Sequence, residues 1–215
     1  MAKLIPAILS KDPVHIDEQL SFLGSFPEIT DVQIDFADGG FVPNETALPG
    51  QLFEIPKKLK IEAHMMTFNP QKYLHDLEEL GVDLVIVHYE CFRSREQIES
   101  TLRNIKSLGM KCGLAANPQT ELDVFDAFIN RLDLALILGV NPGFQGQPFI
   151  QDTYERLNTL RRRHRDAIIE VDGGVKLENF GEILGTGIDR IVVGSGIWVT
   201  PDPGKTIREF LEILT

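Results

Sequence analysis

Polar side chains recur at alternate positions in three short apolar segments of this 215-residue sequence. They are Gln33 and Asp35, Glu62 and His64, and Glu170 and Asp172. Because successive side chains of a β-strand point to opposite faces, each pair shares one face if its segment is a strand. Carboxylates and imidazoles on a buried face are costly unless they pair with one another or bind a cation. The pattern indicates either a metal site with acid–base groups or buried residues that satisfy one another by hydrogen bonds.

Glycine-rich segments follow three later apolar runs. Their residues are Gly143, Phe144, Gln145 and Gly146, then Gly173 and Gly174, then Gly194 and Ser195. Glycine lets a backbone N–H group come close to a ligand, and it also permits tight turns. A single loop of this kind would indicate only a turn. The succession of such loops favours a site where backbone N–H groups bind phosphate.

Eight short apolar runs are the elements that must position these residues. They cover residues 4–9, 31–36, 61–66, 84–88, 111–115, 134–138, 168–171 and 190–193. Their nearly continuous apolar character is typical of strands covered on both faces. Apolar side chains with helical spacing lie between them. These stripes are Ile16, Leu20 and Leu23; Ile98, Leu102, Ile105 and Leu108; Leu122, Phe125 and Ile129; Tyr154, Leu157 and Leu160; and Ile207, Phe210, Leu211 and Leu214.

The alternation of strand and helix predicts parallel strands joined by right-handed crossovers. Eight such units fill residues 1–215 as a single (β/α)₈ TIM barrel domain. An open doubly wound sheet is the structural alternative, but it normally carries a glycine-rich fingerprint after its first strand, where this chain has Ser-Lys-Asp-Pro at 10–13. Barrel enzymes keep their chemistry at the carboxyl ends of the strands. There Asp35 and Asp172 should approach a central ligand from different sides, with His64 near Asp35.

Composition excludes some classes of partner. The net charge of −11 argues against a nucleic-acid partner, because polyanions are held by a surplus of Lys and Arg. The basic stretch 161–165 is predicted to be a solvated helix end. No run approaches the roughly 18 apolar residues of a membrane helix, and the two cysteines form no disulfide framework. These features predict a soluble, cytoplasmic protein without a membrane partner, and they leave homo-oligomer formation open.

Six motifs resemble the ribulose-phosphate 3-epimerase family, in order and along nearly the whole chain. They are PAILS at 6–10, DFADGGFVPN at 35–44, HMM at 64–66, VNPGFQGQPF at 140–149, EVDGGV at 170–175 and VGSGI at 193–197. The resemblance implies an isomerase of the pentose phosphate pathway that interconverts D-ribulose 5-phosphate and D-xylulose 5-phosphate. It implies Asp35 and Asp172 as the two acid–base groups that invert C3 through an enediolate. It also implies a divalent metal ion bound by residue 33, Asp35, His64 and Asp172, with His64 and Asp172 touching the sugar phosphate and the glycine loops holding its phosphate.

The sequence departs from the family pattern around the implied metal. Gln33 stands where the family has a histidine ligand, so the ligand set becomes one nitrogen and three oxygens. Such a set shifts the expected metal from zinc toward manganese, iron(II) or magnesium. Ala7 replaces a family serine, Ala37 and Leu138 stand where methionines are common, and Gly40 replaces a common histidine.

Three alternatives follow from these departures. One is an epimerase or isomerase for another sugar phosphate, such as a hexulose 6-phosphate. Another is a decarboxylase or hexulose-phosphate synthase. Those enzymes carry an Asp-x-Lys-x-x-Asp motif after a strand, and the corresponding stretch 35–38 of this chain has no lysine. The third is a non-catalytic sugar-phosphate-binding barrel, against which the joint presence of Asp35, His64 and Asp172 argues. His88 also matches a family pattern, as either a structural hydrogen bonder or a pocket residue.

Overall fold

Eight parallel strands form a closed barrel in sequential order, in a computed structural model that describes residues 2–53 and 55–215. The strands are β1 Lys3–Ile8, β2 Asp31–Ala37, β3 Lys60–Met66, β4 Leu84–His88, β5 Lys111–Ala116, β6 Leu134–Leu138, β7 Ile169–Asp172 and β8 Arg190–Val193. The predicted TIM barrel is confirmed, and each strand begins and ends within one residue of its predicted bounds. The open doubly wound alternative is wrong, because β1 pairs with β8.

Helices surround the barrel and cover its strands. They are α1 Pro13–Leu23, α2 Leu74–Glu79, α3 Arg95–Ser107, α4 Asp123–Asp126, α5 Thr153–Arg163, α6 Leu177–Leu184, α7 Ser195–Trp198 and α8 Pro203–Ile213. The stripes predicted for α1, α3, α5 and α8 provide the buried faces of these helices. Asp202 accepts a hydrogen bond from the Lys205 backbone N–H at 2.9 Å, which begins α8 directly before Pro203. All helices in the described part of the chain are too short or too polar to cross a membrane.

Two connections differ from the predicted alternation. The stripe Leu122, Phe125 and Ile129 contains only the single turn of α4, followed by a 3₁₀ turn at Ile129–Arg131. The connection from β2 to β3 contains the 3₁₀ turn Pro49–Gln51 and, in its described residues, no α-helix. Apolar spacing over two turns cannot distinguish a helix from a series of tight turns, since both bury the same side chains.

Aspartates bind the backbone at the amino-terminal rim of the barrel. Asp83, Asp133 and Asp189 each directly precede an even-numbered strand. The Oδ2 atoms of these side chains accept hydrogen bonds from the backbone N–H groups of Ile61, Cys112 and Ile169, at 3.0, 2.9 and 2.9 Å respectively. These side chains therefore satisfy backbone N–H groups at the start of β3, β5 and β7.

A buried ionic cluster fills the barrel interior near this rim. Arg190 places its Nε 2.7 Å from Glu170 Oε2 and its Nη1 3.2 Å from Asp31 Oδ1, and its Nη2 also contacts Glu62. Burial, together with the charge of Glu170, raises the pKa of Glu62 well above its ordinary range, and Arg190 opposes that shift. Glu62 and Glu170 therefore lie in the interior, as their alternation predicts, but they pair with Arg190 rather than with the groups at the carboxyl edge.

Candidate active site

Four interior side chains converge at the carboxyl end of the barrel. Gln33 and Asp35 come from β2, His64 from β3 and Asp172 from β7. His64 Nδ1 lies 2.9 Å from Asp35 Oδ1 and 3.4 Å from Asp172 Oδ2. Gln33 and His64 are fully buried, and the Asp172 side chain is 14% exposed. The strands β1 and β8 separate β2 from β7, so the two carboxylates reach the centre from different sides.

The donor set fits a divalent cation. Asp35, His64 and Asp172 each offer one ligand atom, and these atoms lie within 4.8 Å of one another. Two carboxylate oxygens with one imidazole nitrogen suit manganese, iron(II) or zinc, and additional oxygen ligands favour the harder ions.

Gln33 lies between the two carboxylates. Its Nε2 donates to Asp35 Oδ1 and to Asp172 Oδ2, both at 2.8 Å, and it is 3.4 Å from His64 Nδ1. Its Oε1 is buried and has no hydrogen-bond partner among the described residues. The amide therefore presents its nitrogen to the position where the sequence predicts a ligand oxygen.

Burial and neighbouring charges act in opposite directions on the pKa of His64. Burial alone would lower the pKa of His64, but hydrogen bonds to Asp172 and Asp35 and their negative charges raise it to about 10. Burial raises the pKa of Asp35, the charge of Asp172 adds to the shift, and the hydrogen bond with His64 opposes it. His64 and Asp35 therefore each favour the charged form of the other against the cost of burial.

His88, the last residue of β4, lies behind His64 and outside the lining of the cleft. The planes of the two rings are within 20° of parallel, their centroids are 4.9 Å apart, and their Nε2 atoms are separated by 2.8 Å. The ring of Phe41 also packs against His88, with the two ring centroids 4.8 Å apart. Burial lowers the pKa of His88. The structure thus places His88 as a hydrogen bonder to a site residue, and not as a wall of the pocket.

A cleft extends from the carboxylates to the loops after β6, β7 and β8. It is lined by Gly143, Phe144, Gln145, Gly146, Gly173, Gly174, Gly194 and Ser195, the residues predicted from the glycine pattern. Sequence reasoning missed Leu9, Val140, Pro142, Gln147 and Val175, which also line it. Their only signal was that each lies within one of the six motifs that resemble the ribulose-phosphate 3-epimerase family. None of the described lining residues is Lys or Arg.

Two of these glycines are required by the backbone and by the space around them. Gly173 and Gly174 have φ values of 104° and 71°, which are unfavourable for residues that carry a Cβ atom. A Cβ atom at Gly173 would lie 2.4 Å from Val140 Cγ2, and one at Gly174 would lie 2.6 Å from Phe149 Cα. The end of β7 therefore packs directly against the loop after β6, and this contact forms one wall of the cleft.

The fold and the site together define the class of this protein. It is a (β/α)₈-barrel enzyme with two carboxylates at the carboxyl ends of its strands. The model of the ribulose-phosphate 3-epimerase family matches residues 3–198. The chain is 39% identical over 221 residues to the ribulose-phosphate 3-epimerase of Aquifex aeolicus, covering 100% of this chain and 97% of that protein. It is 36% identical to the enzyme of the same name from Escherichia coli strain K12, covering 96% of this chain and 93% of that one. The chain belongs to the ribulose-phosphate 3-epimerase family, and it is an isomerase of the epimerase class.

Solved structures support the fold independently. Mutant forms of the tryptophan synthase α-subunit from Pyrococcus furiosus superpose with TM-scores of 0.69 at 18% and 17% identity, and each covers 98% of both chains. At this identity the likeness concerns the barrel alone.

Proposed function

We propose that this protein inverts C3 of a pentulose 5-phosphate, interconverting D-ribulose 5-phosphate and D-xylulose 5-phosphate with the help of a divalent metal ion. The observation that carries the proposal is the pair of carboxylates, Asp35 and Asp172, which reach one cleft from strands separated by β1 and β8. Inversion needs one group to remove the C3 proton from one face and another to return a proton to the opposite face. Two opposed carboxylates meet that need.

The roles of the residues follow from their positions. Asp35 and Asp172 exchange protons with C3 from opposite faces, and the direction of the reaction decides which acts as the base. His64, held between them, fixes the orientation of both carboxylates. A divalent cation held by Asp35, His64 and Asp172 would supply positive charge to stabilise the enediolate oxygens. The loops after β6, β7 and β8 hold the phosphate through backbone N–H groups.

Gln33 adjusts this site to a harder ion. With its Nε2 toward the carboxylates, the amide keeps two negative groups together by hydrogen bonds. Rotation about the terminal torsion would exchange the two amide atoms and bring the unpartnered Oε1 toward Asp35 and Asp172. That orientation suits a cation, so Gln33 is a neutral oxygen ligand in our proposal, and the preferred ions are manganese, iron(II) or magnesium rather than zinc.

Replacement of Gln33 by His tests this ligand set. We expect Gln33→His to raise zinc affinity relative to manganese by at least about tenfold, a change equivalent to 1.4 kcal/mol, because imidazole suits zinc better than an amide oxygen does. Competition titrations with metal-buffered solutions measure the two affinities. Gln151→His, which adds an imidazole on the surface, is the control for adventitious zinc. An unchanged ratio in Gln33→His would show that residue 33 does not contact the ion.

The proposed phosphate site in the loops after β6, β7 and β8 can be tested separately. In crystals grown with phosphate, we expect the anion to contact the backbone N–H groups of Gly146, Gly174, Gly194 and Ser195. Side-chain cations should contribute little, because none of the described residues that line the cleft is basic. An anion held instead by the stretch 161–165 would contradict the assignment. Competition of inorganic phosphate with ribulose 5-phosphate measures the same site in solution.

A further inference from the structure

A line of polar contacts runs from the cleft into the wall of the barrel. His64 Nδ1 faces the two aspartates, and His64 Nε2 lies 2.8 Å from His88 Nε2. On the far side of the His88 ring, Nδ1 lies 3.4 Å from Glu90 Oε2. His88 is completely buried and is not among the residues that line the cleft.

The geometry determines where the hydrogens lie on these rings. Only one hydrogen fits between the two facing Nε2 atoms, so one ring donates and the other accepts. His88 Nδ1 and Glu90 Oε2 have no hydrogen-bond partner within standard limits among the described residues, and they face each other. A carboxylate only accepts, so the His88 hydrogen belongs on Nδ1. His88 Nε2 is then the acceptor, and His64 must donate from its own Nε2.

Glu90 is held firmly enough to impose this arrangement. Its Oε1 accepts a hydrogen bond from the Asn117 backbone N–H at 2.8 Å and another from Thr120 Oγ1. Arg156 of α5 fixes the same turn, since its Nη2 binds the backbone oxygens of Asn117 and Thr120 at 3.2 and 2.7 Å. The carboxylate is therefore positioned by the segment after β5 and by a helix outside the barrel.

We propose that His88, oriented by Glu90, is a positioning residue that holds His64 with its Nε2 as the donor to His88, so that His64 Nδ1 faces the cleft and is the atom that binds a divalent cation. This inference rests on the proposed function, in which His64 is a metal ligand. Partners of this kind behind a ligating histidine set its orientation and basicity, and their loss typically lowers metal affinity or activity by about 10–100-fold.

Metal affinity and kinetics test the proposal with Mn²⁺ as the probe. We expect His88→Leu to weaken Mn²⁺ binding by about 10–100-fold. His88→Gln should recover most of the loss, because its amide oxygen can accept the hydrogen bond from His64 Nε2. The kcat should fall at subsaturating metal while the KM for ribulose 5-phosphate changes little, since the phosphate loops are untouched. A purely structural role would instead lower thermal stability equally in both variants, without rescue of affinity by Gln.

Nitrogen NMR of the histidines in the wild-type protein provides a measurement that does not depend on any variant folding. We expect His88 to carry its hydrogen on Nδ1 and His64 to carry one on Nε2. A hydrogen on His88 Nε2, or a folded His88→Leu variant that binds Mn²⁺ as tightly as wild type, would overturn the inference alone. Wild-type protein that binds no Mn²⁺ and exchanges no C3 proton would overturn the proposed function, and the inference with it.

Discussion

Asp172→Asn will lower the rate of conversion of D-ribulose 5-phosphate to D-xylulose 5-phosphate by about 10²–10⁴-fold or more. Loss of one acid–base group typically costs that much, and the variant also loses a carboxylate that faces His64 and Gln33. The amide has nearly the same shape as the carboxylate, so the barrel should fold and inorganic phosphate should still bind to the glycine loops. NMR of the xylulose 5-phosphate formed, in the presence of Mn²⁺, measures the rate.

The matched control is Asp152→Asn, an exposed aspartate directly before α5. It should convert ribulose 5-phosphate at the wild-type rate. Conversion by Asp172→Asn within about tenfold of wild type would remove Asp172 from the acid–base pair. Wild-type protein that exchanges no deuterium with any added divalent ion would refute the epimerase proposal and leave the alternative of a sugar-phosphate-binding barrel.

Arg190→Leu will strongly destabilise the folded protein. We expect it to lower the free energy of unfolding by about 3–5 kcal/mol, because removal of one partner from a buried ionic cluster leaves charge without compensation. Here the uncompensated groups are Glu62 and Glu170, which are fully buried near the amino-terminal rim of the barrel. Urea unfolding followed by circular dichroism measures the loss.

Two further variants separate charge from packing at this cluster. Glu62→Gln in the Arg190→Leu background should recover part of the stability, because it removes one of the unpaired carboxylates. Arg103→Leu is the control, since that side chain is 69% exposed and lies 3.9 Å from its nearest carboxylate. It should change stability by no more than about 0.5 kcal/mol. A loss below about 1 kcal/mol in Arg190→Leu would mean that the glutamates are stable without the guanidinium.

The barrel and the polar residues at the carboxyl ends of its strands could be predicted from the sequence, because side chains of a strand alternate between its two faces with a strict two-residue period. That period places Gln33, Asp35, His64 and Asp172 in the interior, and the order of the strands places them at one edge. The same period also placed Glu62 and Glu170 in the interior. It could not indicate their depth, because depth depends on the stagger of neighbouring strands around the ring.

Other features depend on contacts that no local pattern specifies. Arg190 pairs with Glu62 across 128 residues of sequence, so nothing near either residue predicts the pair. The orientation of the Gln33 amide is set by two carboxylates from different strands. The position of His88 behind His64 follows from the register of β3 and β4, in which His64 pairs with Ile86 rather than with His88.

The aspartates of the amino-terminal rim divide the barrel wall into pairs of strands. Each rim bond joins an odd-numbered strand to the next even-numbered one, and its partners are only 22, 21 and 20 residues apart for Asp83, Asp133 and Asp189. Such short separations keep the entropy of loop closure low, so each strand pair is a local unit of low contact order. Closure of the ring instead requires a contact between residues far apart in sequence. The Lys3 backbone N–H donates a hydrogen bond of 2.8 Å to the carbonyl oxygen of Asp189, near the opposite end of the chain. The molecule therefore combines short-range assembly of its wall with a single long-range seam between β8 and β1.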